Sequence, residues 1–200
     1  MPKMLSPNTT IWWVPADAIT NVDDLFKAAT YTGGTPKAVD ISCAIAAGMT
    51  LGATDSDTDD SRTICDSGNA KTPTIANYEA SLTFFREAIA AGQKAAGNTS
   101  VYDKAFQLFK RGTLDGIKEG YLVQRIGFRQ GTPVEAGMEL SAFKVVPDNP
   151  KDELGDGDKP IQFTVPFLPQ GFMELNKAVA ARSVLLEYPC ISEVRGYSHI

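Results

Sequence analysis

Tyr78-Glu79-Ala80-Ser81-Leu82-Thr83-Phe84 decides the fold class. Tyr78, Ala80, Leu82 and Phe84 fall on one side of an extended chain, and Glu79, Ser81 and Thr83 fall on the other. That is the period of a half-buried strand. The same period recurs outward from it. Ile161, Phe163, Val165 and Phe167 alternate with Gln162, Thr164 and Pro166, while Val39, Ile41, Cys43 and Ile45 face away from Asp40 and Ser42. Val184, Leu186 and Tyr188 form a further apolar face. Pro166 has no N–H for a ladder bond, so its strand is expected to be an edge or to end there. Residues 121–128 and 140–146 are apolar and β-branched enough to be strands, and 172–181 leans the same way. Six or more strands predict a mainly β domain, a sandwich or barrel with long loops and arms.

One helix interrupts the strands. Ser100 can cap it, and Val101, Ala105 and Leu108, with Tyr102, Phe106 and Phe109, give a broad apolar stripe. Lys110 and Arg111 suit its negative end, and Gly112 supplies a stop. So apolar a helix must flank the sheet. Residues 21–26 are expected to begin a short helical turn. No repeat or shift in composition marks a boundary, so residues 1–200 are read as one domain. It has an N-terminal arm at about 1–37 and a mobile, acidic loop at about 147–159.

The chain has 200 residues, 43% hydrophobic and 22% charged, enough to bury a core without disulfide or metal. Its net charge of −5 argues against a protein that grips nucleic acid, since such affinity comes from clustered cations. Cys43, Cys65 and Cys190 are widely spaced and odd in number, as expected of reduced thiols. No h-region or membrane-spanning run is visible, so neither export nor a membrane anchor is expected. The single histidine, His199, is penultimate, where chains fray. A histidine-based triad or zinc site therefore lacks its held imidazole. No phosphate loop is present, and no carboxylate pair stands out for acid–base work. We expect no catalytic residue, no metal and no cofactor.

Three constellations remain. Asp55, Asp57 and Asp59 resemble the opening of a calcium loop, but Asp60 stands where the turn needs Gly and Arg62 where an apolar residue belongs. An acidic loop or functional surface is the better reading. Trp12 and Trp13 could form a sugar platform, but large aromatics beside an early strand more often anchor a core or a subunit interface. Phe84 and Phe85 place one ring on each face, so either the sheet is covered on both sides or Phe85 meets another subunit.

Several stretches, in this order, carry a resemblance: VDISCAIAAGMTLGATDSDTDDSRTICD (39–66), NYEASLTFFRE (77–87), SVYDKAFQLFKRG (100–112), GYLVQRIG (120–127) and FLPQG (167–171). Together they resemble the major tail, or tail tube, proteins of long-tailed non-contractile bacteriophages, particularly those of actinobacteria. The resemblance implies a β-sandwich or barrel flanked by a helix. It implies subunits that close six-membered rings with copies of themselves, and rings that stack into a hollow tube locked by arms and loops. The tube would be built around a tape-measure protein, bounded by terminator and tip proteins, assembled in the host cytoplasm and carried in the virion. Some members add a C-terminal immunoglobulin-like domain, for which the residues after 188 leave no room, so the tube domain alone is expected.

The acidity then acquires a role. DNA must pass through such a tube without being held, and lumenal acids repel phosphates over ~8 Å at physiological salt. Asp55, Asp57, Asp59, Asp60 and Glu79 are candidates either for the lumen or for an inter-ring surface facing Arg62, Lys110 or Arg111 of a neighbour. Trp12, Trp13 and Phe85 are the candidate subunit-interface anchors. The competing reading is a tail-tip or adhesin β-domain binding host glycan, with a cation at the Asp-rich loop.

Overall fold

Alternating apolar side chains give each strand one face to bury, and antiparallel pairing satisfies the backbone between them. The structure, a computed structural model, describes residues 8–32, 37–46, 49–59, 72–86, 100–109, 118–153 and 160–181. Among these, eight strands form one antiparallel sheet: β1 (Thr9–Pro15), β2 (Val39–Asp40), β3 (Thr50–Asp59), β4 (Thr72–Phe85), β5 (Gly120–Ile126), β6 (Glu139–Pro147), β7 (Lys151–Glu153) and β8 (Gln162–Ala178). The order is β2-β1-β5-β6-β8-β4-β3, and β7 pairs with β8. One helix, α1 (Val101–Phe109), is present; the Ser100 hydroxyl caps it by accepting from the Asp103 N–H at 3.1 Å. The mainly β architecture with one flanking helix is the expected one.

β8 joins the two halves of the sheet. Its Phe167 is registered with Ala80 of β4 on one side and Pro147 of β6 on the other. Before that point it pairs with β4 and β7, and after it with β6. Pro166 therefore lies inside a strand flanked on both sides, not at an edge or an end. The Pro166 carbonyl accepts from Asp148 N–H at 2.8 Å, so the missing N–H faces the break between β6 and β7, where no ladder needs it.

Residues 39–46 bridge β1 and β4. Val39 and Asp40 pair with β1, and Ile41 N–H donates to Ile11 O at 3.1 Å. Ile45 then bridges Phe84, and Ala46 N–H donates to Thr83 O at 2.7 Å. The sheet thus closes into a partial barrel. This segment was expected as a continuous strand through Ile45. Instead the Asp40 carboxylate accepts from the Ser42 N–H at 2.9 Å and its hydroxyl at 2.6 Å, turning residues 42–44 into a 3-10 helix.

One sheet face is apolar throughout. Ile11 and Trp13, Leu122, Phe143 and Val145, Phe163, Val165 and Phe167, and Tyr78, Ala80, Leu82 and Phe84 share one core with Ala105 and Phe109 of α1. Phe109 stands edge-on to Trp13 and Phe167 at centroid distances of 5.3 Å. The second face is divided. Over β1, β5 and β6 it carries Trp12, Val14, Tyr121, Val123, Leu140 and Ala142, covered by Leu25 and Phe26 from a 3-10 helix (Val22–Phe26). The expected turn at 21–26 is this helix, closed by a capping box between Asn21 and Asp24. Over β3, β4, β8 and β7 the second face is polar.

Residues 1–7 and 33–36 of the expected arm lie outside the described residues; between them Thr9–Pro15 is an inner strand of the sheet. Within the acidic loop expected at about 147–159, Lys151–Glu153 pairs as β7, and 154–159 lies outside the described residues. The strand at 184–188, Gly112, Arg62, Lys110 and Arg111 also lie outside them. Among the described residues, no helix is long and apolar enough to cross a membrane.

Candidate functional surface

The polar half-face follows from the same alternation that built the core. Ser81 is registered with Pro166, Thr83 with Thr164 and Phe85 with Gln162; on the far side of β8, Lys151 is registered with Thr164 and Glu153 with Gln162. Glu79 sits opposite Gly52 on β3 and continues the row. The Thr164 hydroxyl donates to Glu153 Oε1 at 2.6 Å, so at its 2.8 Å contact with Thr83 the Thr83 hydroxyl is the donor. A directed chain therefore runs from Thr83 through Thr164 to a carboxylate across three strands. Among the described residues this surface is hydroxyl-rich and holds two acids, Glu79 and Glu153, against one lysine, Lys151, with no cluster of cations to retain a polyanion.

Beyond this face, β3 and β4 continue as a hairpin. From Ala53 and Tyr78 to the last described pair, Asp59 and Thr72, the arm extends six residues, roughly 20 Å at ~3.3 Å per residue. Asp55, Asp57 and Asp59 lie exposed along it in strand geometry, not in a loop. Two register shifts break their alternation. Asp57 is registered with Ile75, which is 60% exposed, and accepts from Asn77 Nδ2 at 3.1 Å. The outer edge of β3 ends the sheet.

The structure thus separates the acids proposed together from sequence. Glu79 stands on the polar face, the three aspartates stand on the arm, and Asp60 lies outside the described residues. Among the described residues, no group of three or more His, Cys, Asp or Glu is placed to hold a metal. Trp12 and Trp13 are 6% and 1% exposed, on opposite faces and inside different clusters of their own subunit. They form no shared platform for a sugar. Phe85, the last residue of β4, is half-buried and meets Tyr102 of α1 edge-on at 6.4 Å.

Sequence reasoning passed over three features. Glu153 was assigned to a loop, so its place beside Thr164 was invisible until β7 was seen to pair. Ile75 follows Thr72-Pro73-Thr74, with no period to mark it. Arg125, in an otherwise apolar strand, is 0% exposed. Its guanidinium donates to Thr132 O at 2.9 Å, Pro133 O at 3.3 Å, Arg129 O at 3.4 Å and Thr10 Oγ1 at 3.2 Å, while Nε lacks a partner. Trp12 and Phe128 flank it at 5.1 and 5.4 Å. Burial lowers its pKa, and nearby Asp40 opposes the shift. A charged residue amid GYLVQRIG was the available signal for this clamp on the 127–138 loop.

A protein family described as "Phage tail tube protein" matches residues 1–182 of the chain. No curated protein matches it. Among solved structures, a chain from the cryo-EM structure of the anti-feeding prophage baseplate, 6-fold symmetrised, is similar. The TM-score is 0.50 at 13% identity, covering 91% of this chain and 99% of that one. At that identity the likeness is one of fold.

Proposed function

The chain belongs to the phage tail tube protein family, and from that premise we propose that it closes rings with copies of itself whose stacking forms a DNA-conducting tube. It is a structural component of a phage tail, and its place is the virion. The observation that carries the finer reading is the divided second face of the sheet. One half is buried under the chain's own 3-10 helix, while the other, on β3, β4, β8 and β7, is polar and ends at a ten-residue edge strand. An edge of that length invites pairing with another chain. A contact of one subunit's edge with a different patch on the next is heterologous, and it makes a ring when its rotation closes.

The polar half-face then lines the channel. Glu79 and Glu153 repel phosphates within roughly a Debye length, ~8 Å, and the hydroxyls of Ser81, Thr83 and Thr164 keep the wall wetted. DNA slides past such a wall, and a tape-measure protein fills it before ejection. Terminator and tip proteins cap the stack. Six subunits per ring is the number the resemblance implies, and the baseplate of similar fold was averaged with that symmetry.

Negative-stain microscopy across a concentration series, with light scattering beside it, tests the reading. Hollow rings or tubes with a central channel are the expected particles. Solid particles, or a monomer that stays monomeric when supplied with pre-formed tail tips, would overturn it. In assembled tails, Glu79→Lys with Glu153→Lys is expected to preserve tube length and slow DNA ejection.

A further inference from the structure

The 127–138 loop carries an oxidisable atom that self-assembly does not use. Glu135-Ala136-Gly137-Met138 is a tight turn, with Gly137 at φ 85° and the Met138 N–H donating to Glu135 O at 3.3 Å. The Met138 side chain folds back over this turn. Its sulfur accepts from the Glu135 N–H at 3.4 Å and from Nη1 of Arg125 at 3.7 Å. Met138 is half-buried and lines an open cavity of about 620 Å³ with Ile126, Phe128 and Glu139. We propose that Met138 is an oxidation site that takes one oxygen atom from a peroxide, and that the sulfoxide so formed tightens the loop on Arg125.

The step balances between the thioether and the peroxide. A sulfur lone pair attacks one peroxide oxygen, an S–O bond forms and the O–O bond breaks. The second oxygen leaves as hydroxide, takes up the proton released by the first and departs as water. Sulfur loses two electrons and the peroxide gains them. The cavity is the route by which the peroxide reaches the sulfur.

Methionine oxidation ordinarily loosens a protein, because it sets a polar group among apolar ones. Met49 and Met173 have that setting, packed against the apolar core. Met138 has the reverse. Two N–H donors already face its sulfur, which is a weak acceptor. One belongs to the buried Arg125 guanidinium, whose other hydrogen-bond partners among the described residues are three carbonyls and a hydroxyl. A sulfoxide oxygen accepts more strongly than a thioether, and a charged donor strengthens the bond further.

Hydrogen peroxide applied to the folded native chain and to Met138→Leu, which cannot take the oxygen, tests the proposal. Cleavage after Arg129 and Lys144 isolates Met138 in a peptide with no other methionine. In the native chain that peptide is expected to gain one oxygen, and amide exchange in 127–138 to slow about fivefold, the size of one improved hydrogen bond. Treated Met138→Leu is expected to show no slowing, so the effects of Met49 and Met173, common to both chains, drop out. No oxygen at Met138 under conditions that oxidise it fully in the urea-unfolded chain would overturn the site. Oxygen gained with exchange unchanged or faster, or slowing in both chains, would overturn the tightening.

Met138→Gln gives a second readout without peroxide. Its amide oxygen offers the two donors a stronger acceptor on a side chain of similar length. Slower exchange in 127–138 is expected, and unchanged or faster exchange would overturn the role of the acceptor.

Discussion

The Tyr78 hydroxyl on β4 donates to the Lys144 carbonyl on β6, although β8 lies between those strands in the sheet. The same hydroxyl accepts from Gln170 N–H of β8 at 2.8 Å. One phenol therefore ties three strands at the point where β8 passes from β4 to β6, and burial raises its pKa. Tyr78→Phe keeps the ring against Phe143 but leaves a carbonyl and an N–H without their partner. An unmet buried polar group costs about 1–3 kcal/mol. The expected loss, read as a lower urea midpoint with unchanged slope, is about 2 kcal/mol.

Gly120 is required by contact. A Cβ there would stand 2.5 Å from Trp13 Cζ2 and 2.8 Å from the Val14 carbonyl. The indole is held by Phe109 and Phe167 and cannot swing away. Gly120→Ala is thus overpacking, expected to cost about 1–3 kcal/mol. Near-ultraviolet circular dichroism should report the displaced tryptophan, and a parallel Gly52→Ala change, with open space around it and no positive φ, should leave that signal intact.

These two positions also mark what a sequence can tell. Strict alternation in 78–84 and 161–167 identified the strands and their core sides, because a one-residue slip would bury Glu79 or Thr164. The same alternation already placed Ser81, Thr83 and Thr164 away from the core. It could not say that half of that second face is covered, since Trp12 and Val14 meet Leu25 and Phe26 from a segment with no strand period. Nor could it find the interior place of Pro166, which depends on a gap between β6 and β7. The aspartates at 55, 57 and 59 read as loop because Asp disfavours strands. Their pairing with residues 72–77 overrides that preference.

Arg125 shows a different economy. A buried guanidinium whose bonds go to carbonyls and one hydroxyl holds the 127–138 loop through its fork geometry. Lysine keeps the charge but has neither the fork nor the plane that lies by Trp12. Arg125→Lys is expected to cost roughly 2–4 kcal/mol. Amide exchange should speed up selectively in 127–138, ahead of any change in β5. Uniform speeding across the sheet would indicate that the clamp serves the whole core.

Acid should act first at the cover over the second face. Asp24 accepts from Lys27 Nζ at 2.7 Å and closes the capping box at Asn21. The Lys27 hydrogen bond, then the backbone N–H of Asn21, hold its pKa below the ordinary 3.8. A depressed carboxylate pKa stabilises the fold at pH values above the unfolded pKa, and that contribution is lost as pH falls through the folded one. The loss therefore begins near pH 4 and grows below it. Lys27, raised above 10.5 first by the same hydrogen bond, gives the mirror case: its contribution is present below 10.5 and is lost as pH rises through the higher folded value. Both groups lie at the surface, so salt should weaken the effect. Asp24→Asn should lower stability at neutral pH and flatten its fall between pH 4 and 2. The fluorescence of Trp12, whose ring lies 4.9 Å from Tyr31 beneath that cover, should report the change before β-sheet dichroism does. Simultaneous loss of both signals would place the acid-sensitive step in the sheet and not in its cover.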